Sequence, residues 1–132
     1  SGGGGLFSTA SDYGTFLQMI LAGGRHNGGQ LLKPDTIALM TSDQLPASIA
    51  GVQFGDEVRD GFKFGFGFNV IEKQGKWDPD ARIGEFGWGG AASCHYWVWP
   101  PRELIVITLE ATWPYNRNLE QALKGRIYAA LD

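Results

Sequence analysis

Hydrophobic side chains recur at helical spacing near the start of the chain. Thr9, a hydroxyl residue three positions before the acidic Asp12, predicts the start of this helix, and Gly23-Gly24 predicts its end. The residues between them that share the i, i+3, i+4 spacing of one helix face are Tyr13, Phe16, Leu17, Ile20 and Leu21. We therefore expect a first helix that packs this apolar face against the rest of the protein.

Two further helices are predicted, one short and one at the end of the chain. Pro34 next to Asp35 suits the first turn of a helix, which we expect to run to Thr41. The last helix is predicted from apolar residues that also share one face, namely Leu119, Ala122, Leu123, Ile127, Ala130 and Leu131. That apolar face is the one expected to pack on the core.

Alternating and continuous apolar runs predict three strands between the helices. Phenylalanine alternates with glycine or lysine from Phe62 to Phe68, which predicts one strand with a single apolar face. Ala92–Trp99 and Leu104–Leu109 are predicted strands that the turn at Pro100–Glu103 joins into a hairpin. The segments 43–61 and 72–85 are predicted as loop and polar connection. The order of elements predicts an α+β fold, an antiparallel sheet with flanking helices, in one domain over residues 1–132.

Composition narrows the classes of function. The chain has 132 residues, 43% hydrophobic and 19% charged, with a net charge of −3 and no run of Lys or Arg, so a nucleic-acid partner is not expected. No apolar run has the length of a membrane span, and we expect no transmembrane segment. One Cys and two His make a structural zinc site improbable, and no metal or cofactor is expected. The composition does not distinguish the cytoplasm from the periplasm.

Self-sufficient catalytic motifs are absent from the sequence. No serine has Lys three residues later, and Tyr-x-Asn, Ser-Asp-Asn, Gly-x-Ser-x-Gly and His-Glu-x-x-His do not occur. Ser93 would be a nucleophile only if a base reached it. Cys94 and His95 are neighbours on a predicted strand, so their side chains point to opposite faces and we interpret both as ordinary strand residues.

Glycines cluster in one stretch, "GWGGAASCHYWVW", in which Gly87, Gly89 and Gly90 flank Trp88. Glycine in or beside a strand costs conformational entropy. We therefore expect something to come close to the backbone just before Ala91.

Four blocks together resemble a known pattern over essentially the whole chain. They are "SGGGGLFSTASDYGTFLQMILAGG", "LLKPDTIALMTSDQL", "FGFGFNV" and "GWGGAASCHYWVWPPRELIVITL". In this order and spacing they resemble the C-terminal portion of the serine β-lactamase/penicillin-binding-protein-like hydrolases, of the β-lactamase/transpeptidase-like fold. Within that group they are most similar to the family VIII carboxylesterases, the class C β-lactamase-like esterases.

The resemblance implies a role for each residue of the glycine cluster. Where the superfamily has Lys-Thr-Gly at the start of a strand beside the active site, the esterases carry Trp-Gly-Gly, here Trp88-Gly89-Gly90. Ala91, the next residue, is then expected to offer its backbone N–H to the oxyanion hole. Trp88 and Gly89 supply neither a cation nor a hydroxyl, so a small neutral acyl ester is the expected substrate, with weak β-lactam hydrolysis besides.

The nucleophilic serine, the lysine and the tyrosine of the family have no counterpart in this sequence. The resemblance therefore implies a C-terminal segment whose main partner is the missing N-terminal part of the same hydrolase, and which is inactive alone. An unpaired sheet edge and an exposed apolar face are expected, as is pairing of copies through that edge. The alternatives are a non-catalytic module that binds a ligand beside Trp88, and an interaction domain in which Trp88 only packs and the glycines only serve turns.

Overall fold

A computed structural model describes residues 4–49 and 51–132, so Ser1–Gly3 of the first quoted block lie outside the described residues. The described helices are α1 (Ala10–Leu21), α2 (Pro34–Met40) and α3 (Asn118–Leu131). The strands are β1 (Arg25–His26), β2 (Gly29–Gln30), β3 (Val52–Phe54), β4 (Glu57–Arg59), β5 (Phe62–Phe64), β6 (Asn69–Ile71), β7 (Phe86–Gly89), β8 (His95–Trp99) and β9 (Leu104–Thr108). Of these helices, none is at once long and apolar enough to cross a membrane.

A five-stranded antiparallel sheet forms the centre of the protein, with β5 to β9 in chain order. The predicted α+β class, with an antiparallel sheet and flanking helices, is confirmed. β1–β2 and β3–β4 are separate two-stranded hairpins. Side chains alternate between the two faces of a strand, and on β8 Val98 faces α1 while Trp97 and Trp99 face α3. The sheet thus lies between two helices.

The α1 face of the sheet holds the larger apolar core. Leu17 is fully buried and Ile20 is 2% exposed, and both belong to one cluster with Phe68, Phe86 and Val98. At the start of α1, the hydroxyl of Thr9 accepts a hydrogen bond from the backbone N–H of Asp12. The predicted cap and apolar face of this helix are therefore confirmed.

The single strand predicted across Phe62–Phe68 is wrong. β5 and β6 pair antiparallel, and the residues between them form the turn. Gly65 lies so close to the carbonyl oxygen of Met40 that no side chain fits there, and Gly67 has φ +89°. Phe66 is consequently lifted off the sheet and 56% exposed. Glycine here serves a turn and a close approach rather than one face of a strand.

The predicted strand from Ala92 begins later, because a tight turn precedes it. Ser93 donates its backbone N–H to the carbonyl oxygen of Gly90 at 2.9 Å, which closes a four-residue β-turn, and Ser93 has φ +64°. β8 starts only at His95 and pairs with β9, so the hairpin itself is confirmed. The predicted loop 43–61 contains a hairpin of its own, β3–β4.

α3 packs with a face other than the predicted one. Glu120, Lys124 and Tyr128, one every fourth residue, are its buried residues, while Leu119 is 39% exposed. The sheet beneath presents acidic groups, among them Glu85, which is 1% exposed. A polar helix face therefore matches this side of the sheet better than an apolar one.

Candidate functional site

The end of β7 is open on one side. β6 pairs with β7 only at Phe86 and Gly87, whereas Trp88 and Gly89 pair with β8 alone. Gly90 donates its N–H toward β8, to the carbonyl oxygen of Cys94 at 2.7 Å. Hydrogen-bonding groups alternate in direction along an antiparallel strand, so Gly89 turns its own N–H and C=O to the side where no strand of residues 4–49 or 51–132 pairs with it.

Ala91 carries a free donor directly beyond this open edge. It occupies the second position of the β-turn that Gly90 and Ser93 close, and its side chain is exposed. Among the residues that the structure describes, no acceptor receives its N–H. The triplet Trp88-Gly89-Gly90 thus ends the strand rather than beginning it, and Ala91 follows in the turn.

All four residues predicted for the site line one hollow. We call it the β7 hollow, and its walls are Phe54, Arg59, Trp88, Gly89, Gly90, Ala91, Trp113 and Tyr115. The sequence had not predicted four of these residues, namely Phe54, Arg59, Trp113 and Tyr115. These four come from the β3–β4 hairpin and from the segment before α3, and no local pattern connects those segments with β7.

Trp88 both packs and forms a wall. Its ring centre lies 4.9 Å from that of Phe64 in an edge-to-face arrangement and 6.1 Å from that of Phe54. These contacts fix the plane of the indole. The ring is nevertheless only half-buried, and its remaining surface borders the β7 hollow.

The glycines of the cluster have different reasons to be glycine. A Cβ on Gly87 would collide with the carbonyl oxygen of Tyr96, and one on Gly89 would lie 2.6 Å from Cδ2 of His95. Both close approaches are made by β8 itself. A Cβ on Gly90 would meet nothing nearer than the carbonyl oxygen of Cys94 at 3.9 Å. Only Gly90 leaves room for a molecule from outside.

Gly89→Ala should destabilise the protein, whereas Gly90→Ala should not. The methyl group of the first variant overlaps the buried ring of His95, and overpacking of this kind costs about 1–3 kcal/mol of unfolding free energy. Urea unfolding of the two variants measures the difference. Equal stability of both would contradict the assignment of Gly89 to packing.

His95 lies beneath the open edge and is 4% exposed. Its Nε2 is 3.4 Å from the hydroxyl of Tyr115, which borders the β7 hollow, and its Nδ1 has no hydrogen-bond partner in the described part of the chain. Burial lowers the pKa of His95, against the opposing charges of Glu120 and Glu110. We therefore treat the imidazole as neutral near neutral pH.

The free energy of unfolding should decrease as the pH falls from about 7 to about 5, in part because of His95. Since the pKa of His95 is lowered in the folded protein, the unfolded chain takes up this proton first, and protonation favours unfolding. His95→Gln should make the pH dependence shallower in this range, as measured by urea unfolding at several pH values. His26→Gln, at the other histidine, is the control. A pH dependence unchanged in His95→Gln would refute the effect.

Ser93 and Cys94 hold the turn in place. Ser93 is fully buried, and its hydroxyl donates to the carbonyl oxygen of Thr112 and accepts from the N–H of Asn116. Cys94 donates its thiol hydrogen to the carbonyl oxygen of Glu110 at 2.8 Å. The side chain of Ser93 therefore contacts backbone groups rather than a base.

A buried cluster of charges lies between α3 and the sheet. Lys124 Nζ is 2.7 Å from Asp78, 3.0 Å from Glu85 and 3.5 Å from Glu120. Arg117 binds Asp78 and Glu120, each at 2.7 Å. No local sequence pattern indicated this cluster, and Asp78 falls in the segment predicted as a polar connection.

The pKa values of two carboxyl groups in this cluster are shifted in opposite directions. Burial raises the pKa of Glu85 despite the nearby charge of Lys124. Burial also acts to raise the pKa of Glu120, but hydrogen bonds and charge from Arg117, with the charge of Lys124, hold it below the usual range. The cluster is also connected to the site. Glu120 lies 3.8 Å from Nε2 of His95, the residue beneath the open edge of β7.

Comparison with known proteins gives both a family and a fold. The model of the Beta-lactamase family matches residues 1–130. Protein Rv1367c of Mycobacterium tuberculosis and acyltransferase calJ of Penicillium decumbens are each 33% identical, over 111 and 123 residues. These matches cover 81% and 84% of the chain, which spans only 28% of each relative.

A solved structure has the same fold. Simvastatin synthase (LovD) from Aspergillus terreus, in its unliganded form, superposes with a TM-score of 0.71 at 20% identity. The superposition covers 96% of this chain and 35% of the LovD chain. The described sheet and helices therefore correspond to about a third of that larger fold.

Proposed function

The chain belongs to the Beta-lactamase family, and from this membership we propose that it is the C-terminal part of a serine hydrolase that cleaves carboxylic esters. The proposal includes the finer similarity to the family VIII carboxylesterases, which rests on Trp88-Gly89-Gly90 in place of Lys-Thr-Gly. The single observation that carries it is the free N–H of Ala91 beside the open edge of β7.

Each residue of the site then has a defined task. Ala91 donates its N–H to the carbonyl oxygen of the ester, and one such donor is worth roughly 3–4 kcal/mol of transition-state stabilisation. Gly90 leaves room for the ester along the edge of β7, Gly89 turns its N–H and C=O toward that edge, and Trp88 forms the apolar wall. The N-terminal part of the same hydrolase supplies the remaining groups. These are a second donor for the carbonyl oxygen, the nucleophilic serine, the lysine and the tyrosine.

The reaction proceeds through an acyl-enzyme. The serine oxygen attacks the ester carbonyl carbon, and the negative charge that develops on the carbonyl oxygen is held by Ala91. The bond to the alcohol oxygen breaks, and the alcohol leaves with the proton that the serine gave up. Water then adds to the acyl carbon, and the carboxylic acid leaves as the serine regains a proton.

Exposed apolar surfaces support a missing N-terminal part as the main partner. Leu119 on the outer face of α3 is 39% exposed, and Phe16 on α1 is 37% exposed. β9 pairs with β8 on one side, and no strand within the described residues pairs with its other edge. The N-terminal part would cover these surfaces, and in its absence two copies of the chain would pair through the β9 edge.

The acceptor of the acyl group need not be water. CalJ is named an acyltransferase and LovD a simvastatin synthase. The β7 hollow is open to solvent, so it offers a way in for an alcohol as well as for water. We therefore propose ester hydrolysis first and acyl transfer to an alcohol second, with weak β-lactam hydrolysis as a side activity.

The test compares this chain with the longer protein that carries it. Hydrolysis of p-nitrophenyl butyrate is followed together with the intact mass of each sample. We expect a burst of p-nitrophenol and a mass increase of one acyl group for the longer protein, and neither turnover nor an adduct for the chain alone. Adding an alcohol shows whether an ester product replaces the acid.

Two results would overturn the proposal. Turnover by the chain alone that is lost in Ser93→Ala would place the nucleophile here. A longer protein that binds esters without turnover would make the chain part of a non-catalytic binding module.

A further inference from the structure

A guanidinium from β4 reaches the wall of the β7 hollow. Only 11% of the Arg59 side chain is exposed. Its guanidinium carbon lies 4.2 Å from the centre of the Phe54 ring and 4.5 Å from that of Trp77. Aromatic faces attract a cation and fix its plane, so Arg59 is positioned before any ligand arrives.

Part of this guanidinium remains available for a ligand. Its Nε donates to Oε1 of Glu57, which also accepts a hydrogen bond from Nε1 of Trp77 at 2.8 Å. Within residues 4–49 and 51–132, neither Nη of Arg59 has a hydrogen-bond acceptor, and neither is sealed from solvent. Two N–H-bearing nitrogens in one fixed plane match the geometry of a carboxylate.

The charge of Arg59 acts inside the hollow. Burial raises the pKa of Tyr115, and the charge of Arg59 is the strongest influence that lowers it. Tyr115 and Ala91 line the same hollow. Any acyl chain that extends from Ala91 into this space therefore comes under the field of the guanidinium.

We infer that the β7 hollow selects esters whose acyl chain ends in a carboxylate, and that Arg59 is the residue that determines this specificity. The inference rests on the proposed function, because it takes Ala91 to hold the ester carbonyl. The methylene groups of the acyl chain lie against Trp88 and Phe54, and the terminal carboxylate binds the Nη atoms. This replaces the expectation of a neutral substrate, since the cation that Trp88-Gly89-Gly90 lacks comes from another strand.

Glu57 is the carboxylate that opposes this selection. It is 45% exposed and shares the guanidinium with the incoming ligand. Of the Arg59 nitrogens, Glu57 accepts a hydrogen bond only from Nε, so it leaves the Nη atoms of Arg59 free. Its negative charge nevertheless lowers the net positive charge that a ligand meets beside Arg59. Glu57→Gln should therefore strengthen the preference for anionic substrates.

The experiment compares two esters in the longer protein. The mono-p-nitrophenyl ester of adipic acid and p-nitrophenyl hexanoate differ only in a terminal carboxylate against a methyl group. We expect kcat/KM to be roughly tenfold or more higher for the anionic ester, as a charge-assisted hydrogen bond allows. The glutaric acid half-ester tests a shorter reach.

Three variants test the residue. Arg59→Met should remove the preference for the anionic ester, so that the two kcat/KM values become similar. Glu57→Gln should enlarge that preference. Arg25→Met is the matched control, because Arg25 is exposed on β1 and does not line the hollow. It should keep the wild-type ratio.

Failure of this inference and failure of the proposed function give different results. Turnover of both esters without preference, or a preference that survives in Arg59→Met, would overturn the role of Arg59 and leave ester hydrolysis intact. Turnover of neither ester would overturn the proposed function. Calorimetry with the monoamide of adipic acid and with hexanamide then decides the inference: tighter binding of the acid that Arg59→Met abolishes supports it, and equal binding overturns it.

Discussion

Ala91→Pro should lower kcat for ester hydrolysis in the longer protein by roughly a hundred- to a thousandfold. Proline has no backbone N–H, so the variant removes the proposed oxyanion donor and nothing else from the carbonyl's surroundings. The backbone is expected to accept it, because Ala91 is at the second position of the turn from Gly90 to Ser93, where proline is favoured. The measurement is a p-nitrophenyl butyrate assay together with thermal unfolding.

Ala91→Ser is the matched control, since it changes the side chain and keeps the N–H. It should retain activity near that of the wild type. If proline unfolds the turn, Gly90→Val is the second variant, because a Cβ at this position meets only the carbonyl oxygen of Cys94, at 3.9 Å, and the added bulk should intrude on the ester. Near-normal activity of both Ala91→Pro and Gly90→Val would show that the oxyanion is held elsewhere.

Lys124→Met should lower the free energy of unfolding by about 3–5 kcal/mol, the cost of breaking a buried ion pair from one side. Lys124 is 2% exposed and binds three carboxylates. Its removal leaves Asp78 and Glu120 with Arg117 alone, and Glu85 without a paired cation among the described residues. Urea unfolding followed by tryptophan fluorescence measures the loss.

Arg126→Met is the control for this prediction, because Arg126 is exposed on the same helix. It should change stability by no more than about 0.5 kcal/mol. Adding Glu85→Gln to Lys124→Met should restore part of the loss, since the remaining carboxylates then repel each other less. A loss in Lys124→Met no larger than that in Arg126→Met would show that the cluster adds little to stability.

The two apolar helix faces show how far a local pattern predicts packing. For α1 the pattern was sufficient, because Leu17 and Ile20 meet an apolar sheet face. For α3 the apolar pattern predicted the wrong face. Its partner is a sheet face that carries buried acidic groups, so the stripe of Glu120, Lys124 and Tyr128 packs inward. Whether the surface beneath a helix is apolar or acidic cannot be predicted from the sequence of the helix itself.

The glycine cluster shows the same division within the site. Its position was predicted from sequence, and Trp88, Gly89, Gly90 and Ala91 do line one hollow. The sequence did not separate Gly89, which makes room for His95, from Gly90, which leaves open space. Both look alike along the chain, and only the register of β7 against β8 distinguishes them.

The sequence by itself determined the α+β order of elements, the cap and face of α1 and the β8–β9 hairpin, and it predicted where on the chain the candidate site lies. Those features depend on residues a few positions apart, and their spacing is visible in the sequence. The tertiary structure alone decided which face α3 buries, that the pairing of β7 with β6 stops at Gly87, and that Arg59 lines the same hollow as Ala91. These features depend on which distant segments pack together. That packing is set by strand register and by the need to pair buried charges, and both involve residues far apart in the sequence.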